Sequence, residues 1–230
     1  MKSAFLVCFL WSSSLLAQRK DYLLTFQTPY GEIKAVLHDQ TPLHKQNFLK
    51  LVAAHFYDSL LFHRVIHHYM IQGGDPLSKN AAAAVRLGAG GGQLEKIPAE
   101  FRPELFHKRG VLAAARDNNP EKKSSASQFY IVQGSVWNDA GIDAQEKRLA
   151  GARSPTPQQR EVYRTIGGSP HLDGNYTVFG QVLSGMSAVD SIAAQPRDAN
   201  NRPLKDLRMK ISAKKMRKKK ISRLYGYRFE

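Results

Sequence analysis

The stretch FHRVIHHYMIQGGDP, residues 62–76, concentrates the side chains best able to do chemistry. One guanidinium, Arg64, sits in an apolar and aromatic run that closes on the polar turn Gln72-Gly73-Gly74-Asp75-Pro76. A fixed cation and one amide on an otherwise apolar surface suit a polypeptide ligand better than a phosphate or a metal. The guanidinium donates along fixed directions and keeps its charge. His63, His67 and His68 cluster here, but adjacent residues on a strand point apart. No nearby cysteine or paired carboxylate completes a metal set, so exposed loop histidines are the reading. A second candidate, RLGAGGGQLEKIPAEF at 86–101, carries Gly88, Gly90, Gly91 and Gly92. It lacks the Lys-Ser/Thr and the strand-to-helix setting of a phosphate cradle. A permissive loop beside a binding groove is expected instead.

Periodicity supplies the elements that must position these residues. Residues 21–28 and 31–37 are strand-like around Pro29-Tyr30-Gly31, a hairpin signal. Thr41-Pro42 opens a helix, with threonine as cap and proline in the first turn, where its missing N–H costs nothing. Leu43, Phe48, Leu51, Val52 and Phe56 follow as one buried stripe. Further strands are expected at 61–66, 69–72, 111–115, 128–132, 176–183 and 205–212, and a second helix at 186–194. The segment 135–170 interrupts this pattern. Thr156-Pro157-Gln158-Gln159 reads as a helix start with a capping box, Gly167 as its stop, and 143–150 as another short helix. Too poor in apolar residues for its own core, the segment is an insertion. Many short strands and two helices predict a mostly β fold, an antiparallel barrel or sandwich with helical plugs.

At 230 residues, 42% hydrophobic and 10% aromatic, the chain reads as one globular domain with additions. Residues 5–16 are largely apolar, behind Met1-Lys2 and before Ala17-Gln18, the layout of a secretory signal peptide over 1–17. An uncleaved membrane anchor is the lesser reading, because the run is short for a span. The single cysteine, Cys8, lies in this leader, so the mature chain is expected to carry neither disulfide nor thiol chemistry. A periplasmic or secreted location follows from this reading. The net charge is +15, and residues 202–230 hold 12 Lys and Arg against Asp206 and Glu230. With a leader present, the basic tail 213–230 suits anionic lipid headgroups or an acidic envelope polymer better than nucleic acid. The alternative is a solvated, partly disordered tail, although Tyr225, Tyr227 and Phe229 alternate as a strand or docked extended segment would.

Three strings then carry a resemblance: 62–76, SQFYI at 127–131 and HLDGNYTVFGQV at 171–182. In this order they resemble motifs of the cyclophilins, the cyclosporin-type peptidyl-prolyl isomerases. GVLAAA at 110–115 is similar to the strand that walls the family's groove. The resemblance implies a closed eight-stranded antiparallel β-barrel capped by two α-helices over residues 18–212, with the groove on its outer face. It implies Arg64 as the catalytic residue, and Tyr69, Met70, Tyr130 and Leu172 as the lining of a proline pocket. It implies that Gln72, Gln128 and Ala115 hold the peptide backbone, with Arg116, Phe129, His171 and Tyr176 completing the substrate-binding set. Departures are present: His171 stands where many members have tryptophan, Tyr176 where histidine is usual, and Arg116 where asparagine is common. The implied activity is acceleration of X-Pro isomerisation in exported polypeptides, by a monomer that needs no cofactor or metal. The alternative is a binding module or holdase that grips proline-containing segments with weak turnover.

Overall fold

A computed structural model describes residues 19–83, 85–148 and 153–229, so the expected leader lies outside the described residues. Eight antiparallel strands form one sheet: β1 (Lys20–Thr28), β2 (Gly31–Leu37), β3 (Arg64–Ile66), β4 (Met70–Gly73), β5 (Val111–Ala114), β6 (Phe129–Val132), β7 (Val178–Ser184) and β8 (Lys210–Arg217). Five helices accompany them: α1 (Pro42–Ala53), α2 (Asp139–Arg148), α3 (Pro157–Thr165), α4 (Met186–Ala193) and α5 (Lys218–Tyr225). The strand order is β3-β4-β6-β5-β7-β2-β1-β8. The expected closure is not a continuous ladder, since β3 and β8 are edges. The chain just before each edge does meet the other, through a Leu61–Arg208 bridge and a Phe62 amide bonded to the Leu207 carbonyl at 2.9 Å.

Alternation on the strands separates an inner from an outer face. Leu24, Phe26, Ile33, Ala35 and Leu37 point inward, where they meet Phe48 and Val52 of α1 and Val189 and Ile192 of α4. These are the two helices that the sequence leads one to expect against the sheet. Helix α1 differs from expectation in two details. Thr41 provides no side-chain cap; the Glu100 carboxylate accepts instead from the Leu43 and His44 amides, at 3.1 and 3.0 Å. A carboxylate suits the positive end of a helix, and it arrives from far along the chain. Leu43 is exposed, while His44 takes the buried position of the stripe and bonds to Glu100 and Ser124.

The C-terminal segment is also redrawn. Strand β8 runs five residues later than expected, and its lysines pair with β1, Lys214 opposite Leu23 and Arg217 opposite Lys20. Lysines on an edge strand discourage pairing with other chains. The tail is neither free nor extended throughout: α5 buries Ile221 against Leu23 and Val36, and Tyr225, Tyr227 and Phe229 pack beside it. A boundary at 212 would cut β8. In the insertion, α3 starts with the expected capping box between Thr156 and Gln159. Helix α2 starts earlier than expected and clasps Arg160 with Asp139, Asp143 and Glu146.

Candidate active site

The outer face of β3, β4 and β6 carries a row of aligned residues. Arg64 stands opposite Gln72, and Gln72 opposite Tyr130. Met70 lies two residues from Gln72 on the same face and joins Val111, Ala113, Tyr130, Val132, Leu172 and Val178 in an apolar cluster outside the inner core. Arg64, Tyr69, Met70, Gln72, Ala115, Arg116, Tyr130, Leu172 and Tyr176 together line a cleft of about 90 Å³. Its floor is apolar, while two arginines and an amide stand at its rim. Phe129 is not part of this cleft. It faces the inner core at 1% exposure, packed edge-on against Phe48 and Tyr57. Strand parity explains the correction: Phe129 and Tyr130 are neighbours, so only one can face outward.

The cation at the rim is held without being neutralised. Arg64 donates from Nη1 to Gln72 Oε1 at 3.2 Å, and no carboxylate among the described residues lies within ion-pair distance of it. Gln72 in turn donates to Gln128 Oε1 at 3.1 Å, and Gln128 donates to the carbonyls of Gly88 and Gly90 at 3.0 and 2.9 Å. The glycine-rich loop therefore sits beside the cleft as expected, but it is pinned rather than loose. The buried Asp75 carboxylate receives the Gly88 and Gly90 amides, and a Cβ at Gly90 would overlap that carboxylate. Ala115 lines the cleft, but its N–H already donates to Gln128 and its carbonyl accepts from Ser125. Arg116 donates to the Asn175 and Asp117 carbonyls, and its guanidinium lies 4.9 Å from the centre of the Tyr176 ring.

Behind Tyr130 lies a buried polar network that sequence reasoning did not assign. The Tyr130 hydroxyl is 3.0 Å from His107 Nε2, His107 Nδ1 is 2.8 Å from Asp173, and the Tyr163 hydroxyl donates to Asp173 at 2.6 Å. Burial holds the Tyr130 and Tyr163 hydroxyls well above the ordinary tyrosine range, so both stay protonated. Helix α3 of the insertion is thus tied to the cleft through Asp173. Asp173 stood in plain view inside the 171–182 string, but His107 and Tyr163 carry no local signal that would pair them with it.

His63 is buried at 3% exposure near Gly88, unlike the exposed His67 and His68. Neither of its ring nitrogens has a hydrogen-bond partner among the described residues. Burial, with Arg64 adding to it and Asp75 opposing, lowers its pKa to about 4. An unfolded chain takes up this proton near pH 6.5, whereas folded His63 refuses it until about pH 4. Stability is therefore expected to fall as pH drops through this window, by up to about 1.4 kcal/mol per unit from this residue alone. Urea unfolding of His63→Leu at several pH values checks this. The variant should show a shallower acid slope, and an unchanged slope would remove His63 from the account.

Comparisons with known proteins give the family of the chain. A family model described as cyclophilin type peptidyl-prolyl cis-trans isomerase/CLD matches residues 23–214. A Streptococcus pyogenes protein named as a bifunctional phosphatase/peptidyl-prolyl cis-trans isomerase is 36% identical over 189 residues, covering 80% of this chain and 37% of that one. A Staphylococcus saprophyticus protein named as a peptidyl-prolyl cis-trans isomerase is 32% identical over 191 residues, covering 77% of this chain and 89% of its own length. The fold resembles a crystal structure of a Cryptosporidium parvum cyclophilin-type isomerase obtained with the dipeptide Ala-Pro. The TM-score is 0.57 at 24% identity, over 84% of this chain and 98% of the other. That likeness concerns the fold, while the sequence matches carry the kinship: the chain belongs to the cyclophilin-type peptidyl-prolyl cis-trans isomerases.

Proposed function

We propose that the chain accelerates X-Pro isomerisation by seating the proline ring on the Met70, Tyr130 and Leu172 floor while Arg64 stabilises the twisted amide. The observation that carries this reading is an arginine fixed by Gln72, free of any carboxylate partner among the described residues, in one cleft with the buried Met70, Tyr130 and Leu172. Resonance gives the X-Pro C–N bond its double-bond character and a barrier of about 18–20 kcal/mol. Twisting breaks that resonance and localises the lone pair on nitrogen. A guanidinium N–H aimed at this nitrogen binds the twisted state more strongly than the planar one, as catalysis requires. The apolar floor holds the ring still and keeps water from the amide, which strengthens the donor. No bond is made or broken at any stage.

The apolar leader-like layout of residues 5–16 supports exported polypeptides as clients. The test is exchange NMR on an Ala-Ala-Pro-Phe type peptide with catalytic amounts of the protein. Cross-peaks between cis and trans forms should appear at mixing times where the free peptide shows none. Peptide binding without such exchange would convert the reading to a proline-gripping module.

A further inference from the structure

Beside the proline cleft lies an open hollow of about 710 Å³ that shares Tyr69, Arg116, Leu172 and Tyr176 with it. Its far wall comes from Trp137, Arg148 and Ser169 of the 135–170 segment and from His171 just after it. The Trp137 indole is fixed, since Nε1 donates to the Gly168 carbonyl at 2.9 Å. The Tyr69 and His171 rings lie 5.4 Å apart, so an aromatic wall continues from the cleft into the hollow.

The charged side chains that line this hollow have one sign. Arg148 is exposed and bonds only to the neutral Gln145 side chain among the described residues, while Arg116 bonds only to carbonyls. No Asp or Glu belongs to the lining. Burial, followed by the positive charge of Arg148 and with the buried Asp173 carboxylate opposing, lowers the His171 pKa to about 4. Two further polar atoms of the lining, Ser169 Oγ and His171 Nδ1, are buried without a partner among the described residues, and Ser169 is only 1% exposed. Buried polar atoms are normally paired, so two orphans at one wall mark a place where a ligand can supply the bond.

We infer that this hollow is a substrate subsite, built in part by the insertion, that selects an acidic side chain next to the proline. The inference rests on the proposed isomerase reading for the placement of the proline itself. Gln72 and Gln128 occupy the opposite side of the cleft, beside the glycine-rich loop, so the hollow receives the flank of the peptide that leaves the cleft past His171. A Glu or Asp there meets the Arg116 and Arg148 guanidiniums, and no carboxylate lines the hollow.

The test is a peptide series with Glu, Ala or Lys at the residue after the proline, and a second series varied before it. Both affinity and kcat/KM are read at low and high salt. One series should prefer Glu over Lys by about three- to tenfold at low salt, shrinking as salt rises, as expected for exposed charges. Arg148→Glu should reverse the order. Acid preference in binding without turnover would support the subsite and sink the isomerase reading. Turnover with equal rates for Glu, Ala and Lys in both series, unchanged by Arg148→Glu, would overturn the subsite and leave the isomerase reading standing. Absence of both binding and turnover would overturn both.

Discussion

Replacing Arg64 with alanine is expected to lower kcat/KM for X-Pro isomerisation by about 10²- to 10³-fold, with KM nearly unchanged. This is the usual cost of deleting one donor aimed at a developing charge, about 2.7–4 kcal/mol. An acceleration of roughly 10⁵ requires about 7 kcal/mol in all. Arg64 would then supply around half, leaving the remainder to the apolar floor. KM should hold because the planar ground state offers the arginine no localised lone pair. Arg64→Lys should not restore the rate. Lysine lacks the planar fork that lets Nη1 bond to Gln72 while further N–H donors remain for the substrate. A kcat/KM loss below about threefold in Arg64→Ala, in a variant that still folds, would mean that the cleft works without its cation.

The sequence makes part of this site legible for a physical reason. Met70 and Gln72 share a face by alternation alone, and the short turn of the same hairpin sets Arg64 opposite Gln72. Phe129 shows the limit: its string is readable, but its facing depends on the register with β4, where Gly73 opposes Phe129 and Gln72 opposes Tyr130. Parity across strands is a tertiary property. The shift of β8 has a similar origin. Leu207 and Met209 alternate as strand residues, but their backbones are taken up by Phe62 and by Leu60 and Ser59, so the β1 ladder starts at Lys210. Helix α5 was hidden by its charge, since KKKISRLY offers only Ile221 and Tyr225 as an i, i+4 pair. The Glu100 cap on α1 and the His107–Asp173 link join residues more than fifty positions apart, and neither pairing leaves a local trace.

That network carries the largest expected effect on stability. Asp173, at 4% exposure, accepts from the His107 amide and from His107 Nδ1, both at 2.8 Å, and from the Tyr163 hydroxyl at 2.6 Å. By engaging Nδ1–H, the carboxylate leaves Nε2 as the acceptor for the Tyr130 hydroxyl. Asp173→Ala would strand three buried donors at once, and is expected to cost about 3–5 kcal/mol in urea unfolding. Such a loss would not by itself show that the insertion speaks to the cleft. The discriminating measurement is a double-mutant cycle between Tyr163→Phe and Tyr130→Phe, which remove the two outer hydroxyls and leave His107 and Asp173 in place. The hydroxyls do not bond to each other, so residues that acted independently would give additive losses within about 0.5 kcal/mol. A coupling above that bound means that the charge shared along Asp173 and His107 transmits the state of α3 to the floor of the proline cleft. Additivity would make α3 a passive buttress, and the orientation of Tyr130 would then depend on its packing against His107 and Tyr176 alone.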